Sequence, residues 1–232
     1  MKKEVEFIQI SDSHLFEDTR DLLVGLNTED SLQKVVQKIK KDSYKFDFIL
    51  ATGDIAQDGS PRTYERFYKI LKRLNAPQYW IPGNHDCLAA MESTNQSLKE
   101  NVLVERIEQG NWQIILLDSH IEGRVPGRLT KDQLDFLRKT LEDYPQNFAL
   151  ISFHHPPLKV GSQWLDQQMV ANSDDFFEII EKYSQVRAVL WGHIHQEFDQ
   201  YIGKVRLLGT PSTCFQFAPH KRKATASQRS EH

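Results

Sequence analysis

Cysteine is scarce in this chain of 232 residues: Cys87 and Cys214 are the only two. Two cysteines build neither the disulfide framework of a small secreted domain nor a cysteine-rich zinc site, and they are expected to be small buried hydrophobes. A reducing, cytoplasmic setting fits that usage. Long apolar runs are missing as well. The opening "MKKEVEFIQI" holds no stretch long enough for a signal peptide, and no later segment reaches the roughly 20 apolar residues of a membrane span. Nor does one sign of charge dominate, since the formal net charge is −3, which gives no reason to expect a polyanion as partner. The basic excess that exists sits at the end, where residues from Pro219 onward carry Lys221, Arg222, Lys223 and Arg229 against Glu231. A nucleic-acid binder more often carries a basic face through the fold, so a solvated tail is expected and no nucleic-acid partner. No internal repeat or long linker interrupts the chain. Its 39% hydrophobic content is enough for a sizeable core.

What is present is an alternation of short apolar runs and helical patterns. "VEFIQI", "FDFILAT", "QYWIP", "FALISF" and "RAVLWG" read as strands. Leu32, Val35, Val36 and Ile39 in "TEDSLQKVVQKIKKD" follow the i, i+3, i+4, i+7 spacing of a helix face. "SPRTYERFYKILKRL" offers Ser60 as N-cap and Pro61 at the first helical position, with Tyr64, Phe67, Tyr68, Leu71 and Leu74 on one face. "TKDQLDFLRKTLEDY" opens with a capping box, Thr130 and Gln133, and "SDDFFEIIEKY" is a further helix. "LVERIEQGNWQIILLD", turning at Gly110–Asn111, and "EFDQYIGKVRLLG" read as hairpins. The class is therefore α/β with antiparallel additions. After Phe217 the pattern stops, so residues 1–217 form one domain and 218–232 a polar tail expected to be disordered.

The polar residues collect where strands end. "FIQI" runs into Ser11-Asp12-Ser13-His14, "FILAT" into Gly53-Asp54, and "YWIP" into Gly83-Asn84-His85-Asp86. "ALISF" runs into His154-His155 and "AVLW" into Gly192-His193-Ile194-His195. In open α/β sheets, sites form beyond the carboxyl ends of strands, so these groups are expected to converge. In an extended chain His193 and His195 would face the same side, roughly 7 Å apart. The donors are Asp, His and Asn, which suit Mn²⁺, Fe, Zn²⁺ or Co²⁺. Asp12, His14, Asp54, Asn84, His154, His193 and His195 exceed one ion's capacity. Two ions sharing a bridging carboxylate would use them all, in the arrangement that hydrolyses phosphate esters. With two divalent ions, two aspartates and a bridging hydroxide the site would keep a net charge of about +1, which attracts a phosphodiester anion.

"DSH", "GDIAQDG", "GNHD", "HHPP" and "GHIH", in this order, resemble the calcineurin-like metallophosphoesterases. "LLDSHIEGRVPGRLTKDQLDFL", "HHPPLKVGSQWLD" and "TPSTCFQF" bring the resemblance closest to the class III cyclic-nucleotide phosphodiesterases, over about residues 5 to 217. The resemblance implies a four-layer αββα sandwich of two mixed sheets flanked by helices, with a dimetal site at the strand C-terminal ends. It implies Asp12, His14, Asp54 and His195 on one ion, and Asp54, Asn84, His154 and His193 on the other, with Asp54 bridging. His85 would bind the substrate phosphate alongside Asn84 and protonate the leaving oxygen, with Asp86 orienting it. The implied activity is hydrolysis of a 3′,5′-cyclic nucleotide, cyclic AMP first, to the 5′-monophosphate. Alternatives are a broader phosphodiesterase or phosphomonoesterase acting on a glycerophosphodiester or nucleotide, and a non-catalytic scaffold. Scaffolds lose ligands, and every expected position is filled here. "GDIAQDG" and "GNHD" differ from the "GDxVDRG" and "GNHE" of the protein phosphatases, and the acidic body counts against a nuclease. His155, next to a ligand, is expected to face away. Asp118 and His120 receive no chemistry. Trp164 and Phe215 are expected in the core, although either could stack on a base. The oligomeric state stays open, a dimer included.

Overall fold

The computed structural model describes residues 4–98, 100–219, 223 and 226–227. Strands β1 (Phe7–Ile10), β2 (Phe48–Thr52) and β3 (Gln78–Ile81) alternate with helices α1 (Thr28–Asp42), α2 (Pro61–Lys72) and α3 (Leu88–Leu98). A second run follows: β4 (Arg106–Gln109), β5 (Trp112–Leu116), α4 (Lys131–Asp143), β6 (Phe148–Ser152), α5 (Ser173–Ile180), β7 (Val186–Trp191), β8 (Phe198–Ile202) and β9 (Val205–Gly209). The first three strands pair in parallel, in the order β1-β2-β3. The other sheet runs β4-β5-β6-β7-β9-β8 and is mixed, because the two hairpins add antiparallel pairs at its edges. Two mixed sheets were expected. The described part of the smaller one is all parallel, because each of its strands is followed by a helix that returns the chain to the same end.

Residue alternation explains the layering. In β2, Ile49 and Ala51 face the core under α1, α2 and α3, whereas Phe48 and Leu50 face the opposite way. In β5 to β7, Ile115, Ile151 and Val189 pack toward α4 and α5, whereas Ile114, Leu116, Leu150, Ala188 and Leu190 meet Phe48, Leu50 and Ile81. Both sheets are therefore apolar on both faces, as sheets covered on each side must be. The layers are helices, sheet, sheet, helices. No helix among the described residues is long and apolar enough to cross a membrane.

Capping follows the sequence in part. Thr130 Oγ1 accepts from Gln133 N at 3.3 Å, but the Gln133 side chain does not return the bond: its Oε1 accepts from Asp118 N. Ser60 stands at the N-cap of α2 with Pro61 behind it, yet its hydroxyl donates to Glu17 Oε2 at 2.7 Å. Helix α3 has no counterpart in the sequence reading. Its buried residues are Ala90, Met91 and Thr94 alone, too few apolar positions to mark a stripe. Most of 218–232 lies outside the described residues. Within it, Ala226–Ser227 pair antiparallel with Gln216–Phe217.

Candidate metal centre

Because β1, β2, β3 and β5, β6, β7 run parallel within their sheets, their carboxyl ends open on one side. The two sheets are joined there. His154 Nδ1–H, just past β6, donates to the Thr52 carbonyl at the end of β2 at 2.7 Å. Gln9 Nε2 of β1 reaches the Trp191 carbonyl at the end of β7. Asp12, His14, Asp54, Asn84, His154, His193 and His195 all reach this junction. Asp12, Asp54 and the four histidines are buried.

The chain makes sharp turns to present them. Asp12, His14, Asp54, His193 and His195 all have positive φ, between 45° and 64°, a region that non-glycine residues seldom occupy and that costs of order 1 kcal/mol or more. His193 and His195 are therefore not on one face of an extended strand. Each turns separately, and their rings go to different groups.

His14 Nε2 lies 3.2 Å from His195 Nε2 and 3.7 Å from Asp54 Oδ2, and His195 Nε2 lies 3.3 Å from Asp12 Oδ1. His154 Nε2 lies 3.3 Å from Asp54 Oδ2 and 3.3 Å from Asn84 Oδ1. His193 Nδ1 is 2.9 Å from Asn84 Oδ1 and 3.3 Å from His154 Nε2. Asp54 Oδ2 belongs to both sets. An ion held at about 2.0–2.2 Å by each donor places neighbouring donors roughly 3.0–3.5 Å apart, close to these spacings.

Hydrogen positions give a second test of fit. Each histidine spends one ring nitrogen on an oxygen outside the cluster. His14 Nδ1–H donates to Gln57 Oε1 at 2.9 Å and His195 Nδ1–H to the Phe215 carbonyl at 2.8 Å. His154 Nδ1–H goes to Thr52 O as above, and His193 Nε2–H to Gln168 Oε1 at 3.0 Å. With an ion bound, the remaining nitrogen of each ring would offer its lone pair inward. Two lone pairs 3.2 Å apart, as between His14 and His195, repel unless a cation lies between or beside them. The charges agree. Burial alone would raise the Asp54 carboxyl, but the His154 and His14 rings beside it hold it well below the usual range. Asp12 is likewise lowered against its burial, by His195 above all. Burial pushes His14 down to about 4, overriding the attraction of Asp54, and holds His193 well below its ordinary value. His154 is the exception: burial opposes its charge, yet Asp54 and Asp12 bring it up to about 9. Two ionised carboxylates among largely neutral imidazoles form a donor set for a hard or borderline divalent cation.

His85 is exposed beside this cluster, and its backbone N–H donates to Asp54 Oδ1 at 2.8 Å. Asp86 does not orient it. The Asp86 carboxylate is buried and accepts from the N–H groups of Ile55, Ala56 and Gly83 and from the Tyr64 hydroxyl. It ties the loop after β2 to the loop after β3, and burial with the nearby Asp54 charge pushes it up to about 7. The expected role fails because those donors hold the carboxylate, and the ring partner is another residue: His85 Nδ1 lies 3.1 Å from Gln57 Nε2. Gln57 and Gln168 were missed in the sequence, although Gln57 stands inside the "GDIAQDG" stretch. The His155 ring spends Nε2–H on the Val125 carbonyl and Nδ1 on the Ser119 hydroxyl, and it lies 5.0 Å from the His193 ring.

A cavity of ≈ 250 Å³ opens above the cluster, between His85 and Gln57 on one side and Trp164, Phe215 and Phe217 on the other. Phe217 stacks on His195 at 4.5 Å and meets Trp164 edge-on at 4.7 Å.

Close packing of backbone completes the centre. A Cβ on Gly192 would collide with Ser11 Oγ and stand 2.7 Å from Asp12 Oδ2. Gly192→Ala is therefore expected to displace Asp12 and weaken metal affinity by about 10- to 100-fold, the usual cost of disturbing a ligand's support. Competition against a chromogenic chelator measures it, and unchanged affinity would contradict this packing.

A sandwich of one parallel and one mixed sheet gathers acids, an amide and imidazoles at its strand ends, as expected of a metallophosphoesterase, and the calcineurin-like phosphoesterase family matches residues 5–197. The chain belongs to that family. It is 45% identical over 215 residues to the 3′,5′-cyclic adenosine monophosphate phosphodiesterase CpdA of Pseudomonas aeruginosa, covering 93% of this chain and 78% of the relative. It is 40% identical over 218 residues to a 3′,5′-cyclic-nucleotide phosphodiesterase of Nostoc, with 93% and 81% covered. Among solved structures, a dimetal phosphatase from Danio rerio superposes with a TM-score of 0.70 over 90% of this chain and 88% of the other. At 15% identity it shares the fold.

Proposed function

We propose that this chain is a cytoplasmic, two-metal phosphodiesterase that hydrolyses 3′,5′-cyclic nucleotides, cyclic AMP first, to 5′-monophosphates. The observation that carries the reading is the pair of donor sets meeting at Asp54 Oδ2, together with the identity to relatives named for this activity. In it, Asp12, His14, Asp54 and His195 hold one ion and Asp54, Asn84, His154 and His193 the other, drawn from Mn²⁺, Fe, Zn²⁺ or Co²⁺. Bound divalent ions supply Lewis-acid polarisation of phosphoryl oxygens and bring the pKa of water toward neutrality.

The chain's own residues do the rest. The inward lone pairs of His14, His154, His193 and His195 and the two carboxylates hold the charge of the site in place before substrate arrives, so little reorganisation accompanies the reaction. His85, exposed at the cavity wall, meets the phosphate and donates a proton to the departing 3′-oxygen. The aromatic wall of Trp164, Phe215 and Phe217 faces the volume left for the nucleoside.

The test is a panel with added Mn²⁺: cyclic AMP, cyclic GMP, bis-p-nitrophenyl phosphate and p-nitrophenyl phosphate. Cyclic AMP is expected to be opened to 5′-AMP, and the bis-ester to be cleaved with higher kcat/KM than the monoester. A monoester preference with no cyclic-nucleotide turnover would assign a phosphomonoesterase instead.

A further inference from the structure

We propose that the tight turn Leu23–Leu26 is a wall of the substrate site, with Leu23 and Val24 contacting the organic group of the diester and so setting which diesters bind well. The proposal rests on the reading just given of the cavity as the substrate site. Leu23 lines that cavity, and so does Val125 from the loop after β5. The turn closes by two bonds between the same residues, Leu23 N to Leu26 O and Leu26 N to Leu23 O, both at 2.9 Å. Its two central residues, Val24 and Gly25, have φ of 53° and 80°. Hairpin turns with positive φ at both centres favour Asn-Gly, because asparagine and glycine tolerate that region. A β-branched valine does not, and a residue held there is strained.

Packing does not account for the valine. Its side chain is 65% exposed, and a Cβ added to Gly25 would meet nothing within 4 Å, so no described residue covers the tip. The base of the turn is fixed. Asn27 Nδ2 donates to the Thr19 carbonyl at 2.7 Å, and Asn27 Oδ1 accepts from Asp30 N as the cap of α1. Thr28 Oγ1 donates to the His14 carbonyl beside the metal centre. An unstrained asparagine at position 24 would keep all of these bonds, so what the valine adds is apolar surface. That surface is not isolated. Leu22 is 57% exposed and Val125 46%, which puts three exposed apolar side chains on the two loops that line the cavity. Single exposed apolar residues are ordinary, whereas a group of them marks a binding surface. The occupant that the cavity implies is the nucleoside of the cyclic diester, whose phosphate belongs at the donor sets and whose base needs apolar cover.

The experiment compares wild type, Val24→Asn and Leu23→Ala, all loaded with Mn²⁺. Val24→Asn is expected to raise Tm by about 2 to 4 °C, the shift that relief of local strain gives a chain of this size. At the same time it is expected to raise KM on cyclic AMP by about 5-fold with little change in kcat, the effect of one partly buried apolar contact. Leu23→Ala is expected to raise KM likewise. Inorganic phosphate carries no organic group and is expected to inhibit all three proteins with the same Ki. KM unchanged in both variants overturns the proposal. So does a Tm loss in Val24→Asn, or a phosphate Ki that rises in step with KM, which would mean that the variants disturb the metal centre. Self-association that is lost in Val24→Asn while KM stays constant would assign the patch to a second copy and overturns it as well. A readout without turnover uses Zn²⁺-loaded protein with ¹³C-labelled leucine and valine methyls, those of Leu23 and Val24 assigned from their loss in the variants. On saturation with 5′-AMP both are expected to shift under the adenine ring, and unmoved signals overturn the proposal. Should neither cyclic AMP nor 5′-AMP bind while bis-p-nitrophenyl phosphate is cleaved, the cyclic-nucleotide reading fails, and the same KM and Ki comparison on the bis-ester decides the role of the turn.

Discussion

Asp54→Asn is expected to cut kcat/KM on cyclic AMP by on the order of 10³-fold and to reduce bound metal from two ions per chain to at most one. Asp54 is the only carboxylate in both donor sets, 3.7 Å from His14 Nε2 and 3.3 Å from His154 Nε2 through one oxygen. Its other oxygen accepts from His85 N. Asparagine keeps the shape and tolerates the positive φ of 49° at this position, so the variant removes charge and leaves the turn. A polarising ion is worth several kcal/mol of transition-state stabilisation, and each 1.36 kcal/mol is about tenfold in rate, which sets the size of the loss. Elemental analysis and initial rates on the same sample measure both effects. A variant that keeps two ions and loses less than tenfold would show that Asp54 is not shared.

His85→Ala is expected to slow cyclic AMP hydrolysis by about 10²- to 10⁴-fold, the usual contribution of a positioned acid, and to leave both ions bound. His85 is exposed, bonds the cluster through its backbone N–H and Gln57, and sets its ring edge-on to His14 at 4.9 Å, and neither donor set described above includes its ring. The 3′-alkoxide of a cyclic nucleotide is a poor leaving group, whereas p-nitrophenolate is a good one. The defect should therefore be markedly smaller on bis-p-nitrophenyl phosphate. Equal defects with full metal content would make His85 a phosphate-binding group instead of the acid. Loss of metal would make it a ligand.

The fold class and the convergence of the candidate site's residues were legible for one physical reason. The apolar runs are short and end in compact polar motifs, and parallel strands place such ends on one side. Asp12-Ser13-His14 and His193-Ile194-His195 announce themselves because carboxylate and imidazole seldom alternate by accident after a strand. What was not legible is what depends on side-chain direction or on weak patterns. Asp86 sits in the same motif as His85, yet its carboxylate turns inward to the N–H groups of Ile55, Ala56 and Gly83. The supports of the histidines are backbone carbonyls at Thr52 and Phe215 and amides at Gln57 and Gln168, and a carbonyl has no sequence signature. The positive φ at both histidines of "GHIH" replaced the extended geometry that their spacing suggested. Helix α3 escaped because its buried face is small, with Ala90, Met91 and Thr94.

The most direct measurement of the central claim is the metal content and activity of one chelator-stripped, reconstituted sample of the wild-type chain. Titration with Mn²⁺ is expected to saturate at two ions per chain, with cyclic AMP hydrolysis absent in the stripped protein and returning as the ions bind. Saturation at a single ion, or cyclic AMP turnover that survives complete removal of metal, would contradict a two-metal phosphodiesterase built on Asp54.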